Sequence, residues 1–426
     1  MKITLVLSGV DTHSMWWTSL ALATILSLLF VSLVRGAEIS RKDVVGMKAS
    51  KGNNKKSQYK QEKLLKMLTM ITMEPSQLTF LQPNGSFGNP MHQPSMDAVF
   101  AMGHSDFMIR RDAILFAGTL RKTGFKGDIV VGVSPTAKPD FIQALHDLKC
   151  ILYTINLDCG DVHNSKMCTF REKTNVVAPI AMIRYFLYEF WATKYESSSW
   201  IMLSDFSDVI FQTNPFQYRT EEWKSFQLLV FLEHHPTKVI NRCIFNRGWI
   251  ESCYGHEAIV KYGSNTVSCS GITMGSRDAI MLYSHVMSQQ LNPLVRYGLN
   301  STLDNKECFS IGMDQGFHNY LLYSGQLDAY MDIKWYAQGE GPVNTIGALK
   351  NAIMMYNLDM WKAGVLRGTG LGIGNITIHN YNGDLSPAIH QYDRFEGRLF
   401  DPNVFDTLKM IYRLGAQDMK VLFKDL

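Results

Sequence analysis

An α/β fold with a mostly parallel central sheet flanked by helices is what the sequence predicts, on three observations. Short apolar runs of strand length alternate with helix-length segments, in the order strand, helix, strand, helix, strand, from Asp97 to Asn156. A further apolar run at Trp200 follows a long aromatic-rich segment with helical spacing. That run breaks on two carboxylates, Asp205 and Asp208. In doubly wound sheets the ligand crevice lies beyond the carboxyl ends of the strands, where these acids fall.

The first strand is DAVFAMG, Asp97 to Gly103. A helix-length segment follows from Phe107 to Lys122 and stops at TGFKG, where glycine punctuates the chain. DIVVGVS (Asp128 to Ser134) is the second strand, a helix is expected around Pro139 to Leu148, and CILYTIN (Cys150 to Asn156) is the third strand. Asn175 to Tyr195 reads as a helix whose Tyr185, Phe186, Tyr188, Phe190 and Trp191 line a core or a groove. Arg184 sits inside it, as a salt-bridge partner or as a ligand for a diphosphate. No repeat of roughly 20–50 residues is visible, which disfavours a solenoid. In WIMLSDFSDVIFQTNPF (Trp200 to Phe216) the two acids need something opposite them, because carboxylates are seldom buried unpaired. Either an arginine or a cap faces them, or a hard divalent cation does.

Around this body the chain reads as three parts: a signal-anchor over residues 1–36, a basic stem or linker over 37–92, and a folded domain over 93–426. Trp16 to Val34 carries no charge and is long enough to span a bilayer. A signal peptide cut after Gly36 is the alternative. Lys2 precedes the segment, whereas Arg35, Arg41 and Lys42 follow it, which by the positive-inside rule puts the body in the cytosol. Three glycosylation sequons, at Asn84, Asn300 and Asn375, point instead to the lumen, and a luminal, anchored body is the expectation.

The chain is 46% hydrophobic and 19% charged, an ordinary globular balance. Its net charge of +4 comes from residues 41–66, where nine basic residues face two acidic ones; without that excess of seven the rest stands near −3. Such a body is not a nucleic-acid binder by charge. There are seven cysteines and no CxxC pair, which disfavours a structural zinc site. Cys159 with Cys168 and Cys243 with Cys253 are local disulfide candidates, and the connectivity stays open. P-loop and protein-kinase signatures are absent.

Five landmarks stand in order: LRKTGFKGDIVVGV, WIMLSDFSDVIFQTNPF, CSGITMGSRDAI (Cys269 to Ile280), MDQGFHNYLL (Met313 to Leu322) and IHNYNGDLSPAIHQYDR (Ile378 to Arg394). Over roughly residues 95 to 395 the series resembles GT-A-fold glycosyltransferases of the nucleotide-diphospho-sugar transferase superfamily, with a distant likeness to family 8. The resemblance implies a GT-A-like, Rossmann-like domain in the Golgi or endoplasmic reticulum membrane. It also implies Mn²⁺ (or Mg²⁺) bridging the diphosphate of a nucleotide sugar, a UDP-sugar, with a glycan or glycoprotein hydroxyl as acceptor. The family's D-x-D motif appears here as D-x-x-D, Asp205-Phe-Ser-Asp208. Asp205 and Asp208 are then the metal ligands, joined by a late histidine, His390 or His379. Arg184 and Gly271 fall on the donor side, and Cys269-Ser270-Gly271 stands where the family has a small-residue strand with an amide. Asp314 and Gln315 match the family's pair near the sugar, although by themselves they also read as the start of a helix. The alternative is a luminal nucleotide-sugar-binding or scaffold protein that kept the fold without turnover.

Overall fold

The computed structural model describes residues 88–395, apart from 163–164, 171–176, 220–222, 224–226, 292–307, 309–311, 361 and 368–376. The expected membrane segment at Trp16 to Val34, most of the basic stem, the three sequon asparagines and the chain after 395 lie outside the described residues. Among the described residues no helix is long and apolar enough to cross a membrane.

Seven strands build the central sheet: β1 (Ala98–Gly103), β2 (Asp128–Val133), β3 (Ile151–Thr154), β4 (Trp200–Ser204), β5 (Gln227–Leu232), β6 (Ser268–Ser276) and β7 (Asp332–Tyr336). Their order across the sheet is β7-β5-β6-β4-β1-β2-β3. Only β6 runs antiparallel to its neighbours; the other four pairings are parallel. The progression reverses beside β1, with β2 on one side and β4 on the other, which makes a switch point there.

Both faces of the sheet are covered, as a parallel sheet requires. Successive residues of β1 alternate between two cores. Ala98 and Phe100 pack with Trp191, Tyr188 and Leu282 from the helices Ile180–Ala192 and Arg277–Gln289. Val99 and Ala101 pack with Phe116, Phe141 and Leu145 on the other face. The strand therefore reads as an unbroken apolar run, because neither face meets water.

Element order agrees with the sequence reading; the ends differ for local reasons. The helix expected from Phe107 begins at Arg110, where Asp112 Oδ2 accepts from the Ile109 amide. Arg110–Ala113 and Thr119–Lys122 are joined through a π-turn at Ile114–Gly118. The helix expected from Asn175 starts at Ile180, since Val177–Pro179 is a strand against Ser165–Phe170, which pairs in turn with Leu157–Val162. Pro179 ends that strand and opens the helix, where its missing N–H costs nothing. Across this hairpin Cys159 and Cys168 are direct partners and form a disulfide. The other local candidate is corrected: Cys253 pairs with Cys308, 55 residues on, and Cys243 is free.

Candidate metal centre

β4 ends at Ser204, and a tight turn carries the chain through Asp205 and Asp208 into the short strand Val209–Phe211. Two ladders hold this turn. On one side the Asp205 amide donates to the Gly271 carbonyl at 2.7 Å, one step beyond the Ile272–Ser204 pair of β6 and β4. On the other, Val209–Phe211 pairs antiparallel with Ala388–His390, which sets His390 opposite Val209. The Gln391 amide then donates to the Asp208 carbonyl at 2.8 Å. A second partner strand, Val343–Thr345, sets Thr345 beside His390. Register alone thus brings a residue 182 positions away to the acidic turn: the ladder from Val209 to His390 leaves no other choice of neighbour.

Asp205, Asp208 and His390 converge, with one ligand atom of each within 4.8 Å of the others. His390 Nε2 lies 3.5 Å from Asp205 Oδ2 and 3.7 Å from Asp208 Oδ1. His390 is fully buried and Asp208 is 6% exposed. Asp208 Oδ1 and His390 Nε2 are both buried without a hydrogen-bond partner. An orphaned buried polar atom costs about 1–3 kcal/mol, so two facing each other mark a place for a third atom. Ligands about 2.1 Å from one small cation lie roughly 3 Å apart at right angles, and the two spacings to His390 need contract only slightly. The cluster can hold a metal ion.

Gly271 lines the same space. A Cβ built on it would meet Asp205 Oδ2 and His390 Cε1, both at 2.5 Å, so any side chain here intrudes on the two ligands. β6 is irregular between Ser268 and Thr273, where its register with β5 shifts, and this presents Cys269, Ser270 and Gly271 to the turn.

Electrostatics separate the two acids. Burial works against the Asp205 charge, yet the Arg184 guanidinium and then His390 hold its carboxyl well below the usual range. Burial pushes the Asp208 carboxyl up to about 6, with His390 opposing and Asp205 reinforcing the rise. His390 is held well above its ordinary value: burial opposes its charge, but Cys269, Asp208 and Asp205 outweigh that.

Arg184 is the strut of the site. Its Nη1 pairs with Asp205 Oδ1 and its Nη2 with Asp314 Oδ2 at 2.7 Å. Ser270 Oγ also donates to Asp314 Oδ2, at 2.8 Å. Asp314 therefore does not cap the helix Met313–Tyr323; it holds Arg184. Gln315 Nε2 donates to Asn246 Oδ1 at 3.2 Å, and its side chain also bonds Glu233. His379 stands apart from the cluster, with Nδ1 against the Gly383 carbonyl at 2.8 Å and Nε2 against Thr377 Oγ1 at 2.7 Å.

Four residues to which the sequence reading gave no role adjoin the site. Glu233, one residue past β5, is 5% exposed, and burial raises its carboxyl although Lys238 Nζ lies 3.9 Å away. It ends an apolar run, QLLVFLE, as Asp205 does, and that signal was available. Arg394 reaches Asp208 Oδ2 at 3.6 Å from a half-exposed position. Thr345 and Gln391 flank His390 and carry no local signal. Neither models of known protein families nor curated proteins match this chain.

Proposed function

We propose that this chain is a GT-A-fold, metal-dependent glycosyltransferase that moves a sugar from a nucleotide-diphosphate donor, a UDP-sugar, to a hydroxyl of a glycan or glycoprotein. The Asp205–Asp208–His390 cluster carries this reading: two carboxylates and an imidazole meet at the carboxyl edge of a mostly parallel sheet, beside its switch point. The two carboxylates of this set suit Mn²⁺ or Mg²⁺. When bound, the cation neutralises charge developing on a departing diphosphate.

The chain's own residues do the rest. Arg184 fixes the Asp205 carboxylate, and Asp314 with Ser270 fixes Arg184, so the ligand is oriented before substrate arrives. With both Nη groups of Arg184 engaged, Arg394 is an exposed cation at the site, suited to a phosphate oxygen. Asp106, accepting from Ser134 and Thr136 beyond the ends of β1 and β2, supplies polar groups on the edge where a nucleoside would lie. Asp314, paired with Arg184, and Gln315, bonded to Asn246, stand near the sugar in this reading. Two disulfides, Cys159–Cys168 and Cys253–Cys308, support an oxidising lumen, and with it a single-pass Golgi or endoplasmic reticulum protein.

The test is a thermal-shift series with nucleoside diphosphate sugars, with and without Mn²⁺, followed by transfer and hydrolysis assays on the ligand that stabilises. A ligand at a hundred times its Kd adds about 2.7 kcal/mol of stability. Mn²⁺-dependent stabilisation with turnover supports the transferase; stabilisation without turnover supports the binding or scaffold reading. No response to any donor ends both.

A further inference from the structure

We propose that Thr345 and Cys269 are positioning residues that hold His390 in the tautomer able to ligate a metal, with Gln391 fixing the Cys269 sulfur. The inference rests on the metal reading of the site and goes one layer behind it. A neutral imidazole ligates through one nitrogen only if the other carries the proton, and that N–H needs an acceptor. The Nε2 of His390 faces the two carboxylates. Nδ1 points the opposite way, to Thr345 Oγ1 at 3.5 Å and to Cys269 Sγ at 3.8 Å. Both contacts are long, and the second suits the larger radius of sulfur. No carboxylate or backbone carbonyl takes this place among the described contacts of Nδ1.

A hydroxyl and a thiol differ from a carboxylate here, because each both donates and accepts. The pair can therefore accept from Nδ1–H both when Nε2 ligates a cation and when both ring nitrogens carry protons in the metal-free site. The Gln391 amide nitrogen reaches Cys269 Sγ at 3.7 Å and anchors it. Gln391 achieves this with a left-handed backbone, φ 58°, a conformation that costs a non-glycine residue roughly 1 kcal/mol or more. The same conformation lets its N–H bond the Asp208 carbonyl. Strain next to a ligand histidine, bonded to both its thiol neighbour and its carboxylate neighbour, marks a built support rather than a loop accident.

The experiment is a titration of the full chain with Mn²⁺ alone, by calorimetry or electron paramagnetic resonance, on the wild type, Thr345→Val, Cys269→Ala, the double variant and Cys269→Ser. Melting temperatures without metal run alongside. The double variant is expected to lose on the order of 10–100-fold in Mn²⁺ affinity. Cys269→Ser, which keeps a donor and acceptor, should stay within a few-fold of the wild type. At a Mg²⁺ concentration that saturates the wild type, the ¹⁵N spectrum of the His390 ring should show Nε2 ligated and Nδ1 protonated in the wild type, and a largely unligated ring in the double variant. Should the double variant not fold, the near-isosteric Thr345→Val carries the test alone. Wild-type-like affinity in a folded double variant overturns the inference and leaves the metal site standing. A wild type that binds no Mn²⁺ overturns the metal reading itself.

Discussion

Arg184 Nη2 and Asp314 Oδ2 form a buried ion pair at 2.7 Å, between residues 130 apart in the chain. Breaking a buried pair by removing one partner leaves the other charge uncompensated, at a cost of about 3–5 kcal/mol. Arg184→Gln is expected to lose stability on that scale, because Asp205 also loses its guanidinium. Arg184→Lys should fall between, since an ammonium cannot fork to two carboxylates. Denaturant unfolding at neutral pH checks this. An Arg184→Gln protein as stable as the wild type, yet weak in diphosphate binding, would return Arg184 to the role of substrate ligand.

Gly271→Ala is the sharpest steric test of the centre. The new methyl would sit 2.5 Å from atoms of both Asp205 and His390, inside van der Waals contact. Asp205 is the more exposed of the two and can turn away, so the fold should persist. A ligand turned away no longer binds, and Mn²⁺ affinity should drop at least tenfold while the melting temperature moves by a few degrees. Calorimetry beside a thermal melt decides it, and unchanged affinity would remove Asp205 from the ligand set.

The acidic turn is legible in the sequence because an apolar strand cannot end on two carboxylates without a partner. The α/β order is legible for the same kind of reason: spacing and apolar runs are local. What decides between His390 and His379 is not local. Both lie late in the chain, and only the pairing of Ala388–His390 with Val209–Phe211 selects one. The part played by Asp314 is equally hidden, since an acid at the start of a helix suits a cap as well as a distant arginine. Cys253 and Cys308 close across 55 residues, a separation that carries no signal, whereas Cys159 and Cys168 face each other in a hairpin.

His318 should make the protein sensitive to mild acid. It is fully buried between Ser268 Oγ at 2.9 Å and Tyr283 OH at 2.6 Å, and burial, with the Arg184 charge adding, pushes it down to about 3. The sign follows from linkage: below its ordinary value of 6.5 the unfolded chain binds a proton that the folded chain refuses. This contribution is complete above pH 6.5 and is lost as pH falls toward 3, by up to about 1.4 kcal/mol per pH unit. His318→Gln keeps hydrogen-bonding groups but cannot titrate, so its stability should fall less steeply between pH 6.5 and 4.5. Parallel slopes for the two proteins would show that His318 is protonated in the fold.

Asp208→Asn separates a metal ligand from a structural acid. Two carboxylate charges within 4.8 Å repel by about 3.5 kcal/mol at an effective dielectric near 20. Arg184 offsets the charge of Asp205, but among the described residues Asp208 has only His390 and the half-exposed Arg394. Burial, with the Asp205 charge adding, raises its carboxyl to about 6, so at neutral pH the ionised form works against the metal-free fold. Asparagine keeps the shape and removes that charge, and stability without metal should hold or rise slightly. Mn²⁺ binding should move the other way, because an amide oxygen is a far weaker ligand than a carboxylate. Metal-dependent nucleotide binding and turnover should then collapse together in a protein that melts no lower than the wild type. Full Mn²⁺-dependent activity in a folded Asp208→Asn protein sinks the metal assignment. A large loss of stability with no change in metal binding makes the pair structural instead.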